Sequence, residues 1–218
     1  EFVLGARYAE VKEQVEPWSA KGYRVLLVAE YDGVPEQRGL SPQRVSPMAL
    51  VLLSNRVRAA APKTFQYFAE QGVHVKVISG DNPITVSEVA RQAGIPGAEH
   101  YVDAAALKSD GDLERAAVKY TVFGRVTPGQ KRKLVRALQK AGHTVAMTGD
   151  GVNDVLALKD ADCGIALASG AEAACHAAQL VLLNSDFSAM PKVVAEGRRV
   201  INNIQRAAAL FLVKNIFS

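Results

Sequence analysis

Residues 147–160, Met-Thr-Gly-Asp-Gly-Val-Asn-Asp-Val-Leu-Ala-Leu-Lys-Asp, constrain this chain more than any other stretch. The apolar run Thr144 to Met147 feeds a turn built on Gly149 and Gly151. That turn carries Asp150 and Asp154 before an amphipathic segment begins. An extended run that ends in an acidic glycine turn and continues as a helix can hold a divalent cation beside a phosphate. Hard carboxylate oxygens take the metal, and the free amides of a helix start take the anion. Two carboxylates about 4 Å apart repel by about 4 kcal/mol at an effective dielectric of about 20. A cation such as Mg²⁺ turns that repulsion into attraction.

The surrounding composition admits an ordinary globular core. The 218 residues are 49% hydrophobic and 22% charged, enough for one large or two small domains. The net charge is only +4. Apart from Lys131-Arg132-Lys133 and Arg198-Arg199, the basic residues are scattered and have no interleaved aromatics, which argues against a nucleic-acid surface. Cys163 and Cys175 are spaced for neither a redox pair nor a zinc site and read as free, buried thiols. His74, His100, His143 and His176 are isolated from one another and read as packing or surface residues. No run reaches the roughly 20 apolar residues that span a bilayer. Even so, Ala207 to Ser218 looks like the start of a longer hydrophobic helix, and both ends of the chain read as cut.

From Met48 onward, short β-rich runs alternate with longer helical ones. Strands are expected at Leu50–Leu53, Val73–Ile78, Val122–Gly124, Thr144–Thr148, Cys163–Leu167 and Leu180–Leu183. Helices are expected at Ala59–Gln71, Ile84–Ala93, Pro128–Ala141, Val152–Lys159, Glu172–Ala178 and Met190–Phe211. This alternation predicts an α/β, Rossmann-like parallel sheet with helices on both faces and its site at the carboxyl ends of the strands. Residues 1–47 differ. A helix-like stretch (Tyr8–Ala20), a strand (Arg24–Tyr31) and a segment rich in proline and glycine read as the remnant of another unit.

Two further strand ends carry candidate chemistry. In Val77-Ile78-Ser79-Gly80-Asp81-Asn82-Pro83, the Ser79 hydroxyl and the exposed amides are placed to donate to phosphate oxygens, and Pro83 suits a first helical turn. In Thr127-Pro128-Gly129-Gln130-Lys131, Thr127 and Gln130 have capping-box spacing. Lys131 opposes the helix dipole by about 0.3–1 kcal/mol, as a residue meant to meet an anion would. One parallel sheet would bring all three turns to one rim. A hydroxyl with amides, a cation and a pair of acids together form an inventory for phosphoryl transfer.

The three strings occur in the order and approximate spacing found in P-type cation-transporting ATPases of the haloacid dehalogenase-like superfamily, which the chain resembles over nearly its whole length. Val3-Leu4-Gly5-Ala6 is similar to that family's nucleotide-domain Lys-Gly-Ala motif. Ser54-Asn55-Arg56-Val57-Arg58 is similar to its hinge, and the segment from Gly197 to Ile204 is similar to its stalk. The resemblance implies that Ser79, Gly80, Asp81, Lys131, Asp150 and Asp154 form the catalytic set. It implies that Asp150, Asn153 and Asp154 hold Mg²⁺ and that Gly5 and Arg58 contact ATP. By the same resemblance, residues 1–47 end the nucleotide-binding domain, 48–196 form the phosphorylation domain, and 197–218 form a stalk helix on the cytoplasmic side of a multi-pass membrane protein. The partners so implied are a transported cation and the actuator and membrane domains of the same pump. The family's Asp-Lys-Thr-Gly-Thr segment, which supplies the phosphorylated aspartate, is absent and is expected upstream. Leu4 replaces a lysine, Asn55 an acid, and Ser79 the usual threonine. Val155-Leu156 stands where Ala-Pro is common, which leans the reading toward a bacterial calcium-type or general divalent pump. A soluble phosphatase of the same superfamily and a non-catalytic phosphate-binding module are the alternatives.

Overall fold

The computed structural model describes residues 4–34, 40–54 and 56–216, and side chains as far as residue 213. Val3 of the first motif and Asn55 of the hinge lie outside the described residues. In chain order the elements are α1 (Tyr8–Ser19), β1 (Arg24–Tyr31), β2 (Val45–Leu53), α2 (Ala61–Glu70), β3 (Val77–Ile78), α3 (Pro83–Gln92), β4 (Tyr101–Asp103) and α4 (Asp110–Lys119). They continue with β5 (Val122–Gly124), α5 (Pro128–Lys140), β6 (Ala146–Gly149), α6 (Val155–Asp160), β7 (Cys163–Leu167), α7 (Glu172–Ala177), β8 (Leu180–Leu182) and α8 (Met190–Ile216).

The expected α/β architecture is present, with parallel strands flanked by helices. Among the described residues the strands form two three-stranded parallel sheets, ordered β3-β5-β4 and β6-β7-β8, where the sequence predicted one. Successive residues of a strand face opposite sides, and β5 illustrates how that covers both faces of its sheet. Val122 packs with Val86, Ala90 and Ile95 of the α3 layer. Phe123 packs with Leu113 and Ala117 of α4 and Leu134 of α5. In the second sheet, Met147 lies in the cluster formed by Val135, Ala157, Leu158 and Ala174. Ile165 and Leu182 meet Phe68 of α2 and Met190 of α8 on another layer. Strands covered on both faces read as continuous apolar runs, which is how β7 reads in the sequence.

β3 and β6 have one partner strand each. Both are shorter than in the sequence reading. Val73 to Lys76 lie outside any ladder, and Ala146 and Thr148 remain exposed within β6.

The expected strand at Leu50–Leu53 belongs to β2, which pairs antiparallel with β1 and does not join the parallel set. Pro47 is tolerated there because it sits opposite Ala29 beside an irregularity in the ladder, on a strand with a single neighbour. β2 therefore crosses residue 47, and α8 runs without interruption through residue 197. The sequence reading passed over β4 and α4. The start of α4 was legible, because Ser109 and Asp112 form a full capping box. Among the described residues no helix is long and apolar enough to cross a membrane. The two thiols are free and half-buried, not fully buried.

Candidate phosphoryl-transfer site

β6 ends at Gly149, and the chain turns through Asp150 and Gly151 into a single 3-10 turn, Val152–Asp154, that leads directly into α6. Asp154 is the buried acid of the pair, 6% exposed, while Asp150 is exposed. Burying a carboxylate requires partners. Asp154 Oδ1 accepts from Lys131 Nζ at 2.6 Å, and its Oδ2 accepts from the Gly151 amide at 3.2 Å. Lys131 comes from the first turn of α5, which Thr127 caps reciprocally with Gln130, as the sequence predicted.

Both acids lie flush against glycines. A Cβ on Gly149 would stand 2.6 Å from Asp154 Cβ, and one on Gly170 would stand 2.9 Å from both Asp150 Cα and Asp150 Cβ. Gly170 belongs to the turn after β7, and the neighbouring Ala171 amide donates to the Asp150 carbonyl at 2.7 Å. The sequence reading missed this turn. Its Ser-Gly dipeptide, one residue past the end of a largely buried strand, was the available signal.

Ser79 ends β3. Its amide donates to Phe123 O at 2.9 Å, and its carbonyl accepts from Val126 at 3.0 Å, which sets it beside the segment that enters α5. The Ser79 hydroxyl accepts from the Asp81 amide at 3.1 Å, while Asn82 caps α3 by accepting from Ile84. Among the described residues no hydrogen bond joins the Ser79 hydroxyl to Lys131 or Asp150. Asp81 faces Arg24 Nε at 3.5 Å, and its carbonyl accepts from the amide of Arg125, a residue held at φ 52°. A small cleft lined by Arg24, Gly80, Asp81, Asn82 and Arg125 opens next to this turn.

The remaining candidates lie elsewhere. Gly5, at φ 52°, sits against Pro42 beside β2. Arg58 Nη1 donates to Ser185 O at 3.2 Å and faces Asp186 Oδ1 at 3.4 Å. The hydroxyl of Ser185 accepts from Ser169, one residue before Gly170, so Arg58 is linked to the loop behind Asp150. Asn153 is exposed beside the acid pair.

Among the described residues no three acidic, histidine or cysteine side chains converge as a closed metal cage. Mg²⁺ does not require one. It is usually held by one or two carboxylates, with waters and phosphate oxygens completing its octahedron. One exposed and one buried acid on a turn whose backing glycines exclude any side chain fit that ion.

The parallel α/β fold thus sets Lys131, paired to Asp154, beside Asp150 at the end of β6. Residues 3–162 match the haloacid dehalogenase-like hydrolase family, and the chain belongs to it. It is 53% identical over 206 residues to the calcium-transporting ATPase CtpE of Mycobacterium bovis, covering 94% of this chain and 26% of that protein. It is 43% identical to the probable cation-transporting ATPase exp7 of Streptococcus pneumoniae, over the whole of this chain and 28% of that protein. It is 34% identical to the magnesium-transporting ATPase, P-type 1, of Salmonella typhimurium, over 88% of this chain and 22% of that protein. The chain therefore spans about a quarter of the length of these relatives.

Proposed function

We propose that this chain is the phosphoryl-handling part of an ATP-driven cation pump that works through an aspartyl phosphate and uses Mg²⁺. The observation that carries the reading is the 2.6 Å pair of Lys131 and Asp154, mostly buried at the mouth of two helices and next to Asp150. An ammonium in a first helical turn is disfavoured by the dipole unless an anion meets it. Asp154 is that anion at rest, and a transferring phosphoryl group would be the second.

In this reading Asp150, Asn153 and Asp154 hold Mg²⁺, which supplies charge neutralisation on the phosphate oxygens when bound. The Ser79 hydroxyl and the Gly80 amide bind the phosphoryl oxygens, with Asp81 shaping their turn. Lys131 offsets the charge that develops as a carboxylate oxygen displaces ADP from the γ-phosphorus. That carboxylate comes from a segment outside this chain. Gly5 and Arg58 contact the nucleotide. Residues 1–47 serve the nucleotide-binding unit, 48–196 the phosphorylation unit, and 197–218 a stalk toward the membrane portion of a cell-membrane protein. The same pump's actuator and membrane domains are its partners. The cargo is a divalent cation, and the name of the mycobacterial relative favours calcium.

Assay of acid-stable phosphoenzyme and of ATP turnover in the full-length protein tests the assignment. Lys131→Ala and Asp150→Asn are each expected to lower the rate by about 100-fold or more, the usual cost of removing a group that stabilises transition-state charge. Unchanged rates in both variants would refute it.

A further inference from the structure

We propose that Asp160 is a positioning residue for Lys131: it locks α5 against α6 so that the ammonium of Lys131, and no other cation of α5, stands at Asp154. The inference rests on the phosphoryl-transfer reading of the Lys131–Asp154 pair and extends it to Asp160, Arg132, Arg136 and Gln139, to which that reading gives no role. Helix α6 begins directly after Asp154 and ends at Asp160. It is therefore a rigid spacer of about 9 Å, at 1.5 Å per residue, between the site and this second acid.

Asp160 Oδ2 accepts from Arg132 Nε and from Arg136 Nε, both at 2.6 Å, and Oδ1 faces Arg132 Nη2 at 3.4 Å. The Asp160 carbonyl accepts from Gln139 Nε2 at 2.9 Å. Arg132, Arg136 and Gln139 follow the i, i+4, i+7 spacing of one helix face, so a single residue of α6 grips two turns of α5. Between the two grips, Val135 packs with Ala157 and Leu158.

The charges of α5 are thereby sorted. Lys131, Arg132 and Lys133 are consecutive, and each has a different acid. Asp154 takes Lys131, Asp160 takes Arg132, and Asp110 of α4 takes Lys133 at 2.5 Å. Without Asp160, Arg132 and Arg136 would lie one turn apart on the same face of α5 with no acid between them. That repulsion would loosen the first turns of α5 against α6 and with them the placement of Lys131 at Asp154.

The test uses the full-length protein and four forms: wild type, Asp160→Asn, Lys131→Ala and the double variant. The readouts are turnover at saturating ATP, KM for ATP, and the affinity for orthovanadate, a mimic of the transferring phosphoryl group. Asp160→Asn keeps the side chain's shape. It is expected to lower turnover and vanadate affinity about tenfold and to leave KM for ATP within about twofold, because the nucleotide contacts lie elsewhere. In the Lys131→Ala background, Asp160→Asn is expected to add no further loss of vanadate affinity, since the group it positions is gone. Arg132→Gln should reproduce the phenotype from the other side of the bond. Equal losses in both backgrounds, or no loss in the Lys131 background of the wild type, would overturn the positioning role and leave the site assignment standing. Full vanadate affinity in Lys131→Ala would overturn the site assignment itself.

Discussion

Gly170→Ala tests the site through a position that no motif contains. The added methyl would stand 2.9 Å from Asp150 Cα and Cβ and closer still to the Asp150 carbonyl. The nearest atom is the Asp150 carbonyl oxygen at 2.4 Å; ordinary contact begins at 3.4 Å, so the shortfall is about 1 Å there and about half that at Cα and Cβ, against backbone that cannot swing aside. Either the turn after β7 retreats and loses the Ala171 bond to Asp150 O, or Asp150 itself moves. Overpacking against backbone costs about 1–3 kcal/mol, and the bond contributes about 1 kcal/mol. A misplacement of about 1 Å at a reacting group can cost about 100-fold in rate. A displacement between half of that and the whole of it, at the acid assigned to Mg²⁺, predicts a loss between about 10- and 100-fold. Urea unfolding of the chain and phosphoenzyme formation by the full-length protein read the two effects. Gly197→Ala is the control. It lies within α8 with no atom in the way of a Cβ, and it should be neutral or stabilise by up to about 1 kcal/mol. If Gly170→Ala behaves like Gly197→Ala in both assays, the claim that this turn fixes Asp150 is wrong.

Two further perturbations address the frame around the site. The Asp160 carboxyl is held below the usual carboxylate range, chiefly by the hydrogen bond from Arg132. Because its folded pKa is depressed, its contribution to stability is complete above the unfolded value of about 3.9 and fades as pH falls through the folded value. Asp160→Asn should therefore flatten the acid limb of the unfolding free energy, measured by urea titration from about pH 5 downward, and leave neutral-pH slopes alone. Some slope should persist, because Asp162, bonded by the Val145 amide, and Asp186, bonded by the Ser188 amide, are shifted the same way. Ser109→Ala removes the hydroxyl that accepts from the Asp112 amide at 3.1 Å at the start of α4. It should lower stability by about 1 kcal/mol, read as a fall in thermal midpoint of about 2–4 °C.

What the sequence disclosed was local. Thr127 and Gln130 cap α5, and proline occupies the first turn of both α3 and α5, because each of these signals involves residues no more than three apart. The alternation of apolar runs disclosed the fold class for a similar reason. Pairing was not legible. β2 reads as a buried run that could join any sheet, and only the ladder from Arg24↔Leu53 to Tyr31↔Val45 decides that it folds back on β1. The extents of β3 and β6 follow from how far their ladders with β5 and β7 run, which no residue within them records. β4 is three residues long, too short to leave a period. Gly170 was equally hidden, since its constraint is the approach of Asp150, twenty positions earlier.

The cluster Lys131-Arg132-Lys133 marks where local reading stops. As a string it is a patch of positive charge with no stated purpose. In the fold its three members meet acids 23, 28 and 23 positions away, on three different elements. Arg132 and Lys133 are held at partners that lie away from the acidic turn. Lys131 alone is held at an acid that belongs to it. An arriving phosphate would compete with Asp154 for the same ammonium, and Mg²⁺ would compete with Lys131 for the same carboxylate. Each ligand therefore releases the group that the other needs, which is a physical reason for the two to bind together. Mg²⁺ should consequently tighten orthovanadate binding in the wild-type full-length protein. Asp154→Asn, which leaves a weaker resting partner for Lys131, should reduce that coupling. Equal Mg²⁺ dependence in the two proteins, measured by vanadate titration, would show that the resting pair has no part in it.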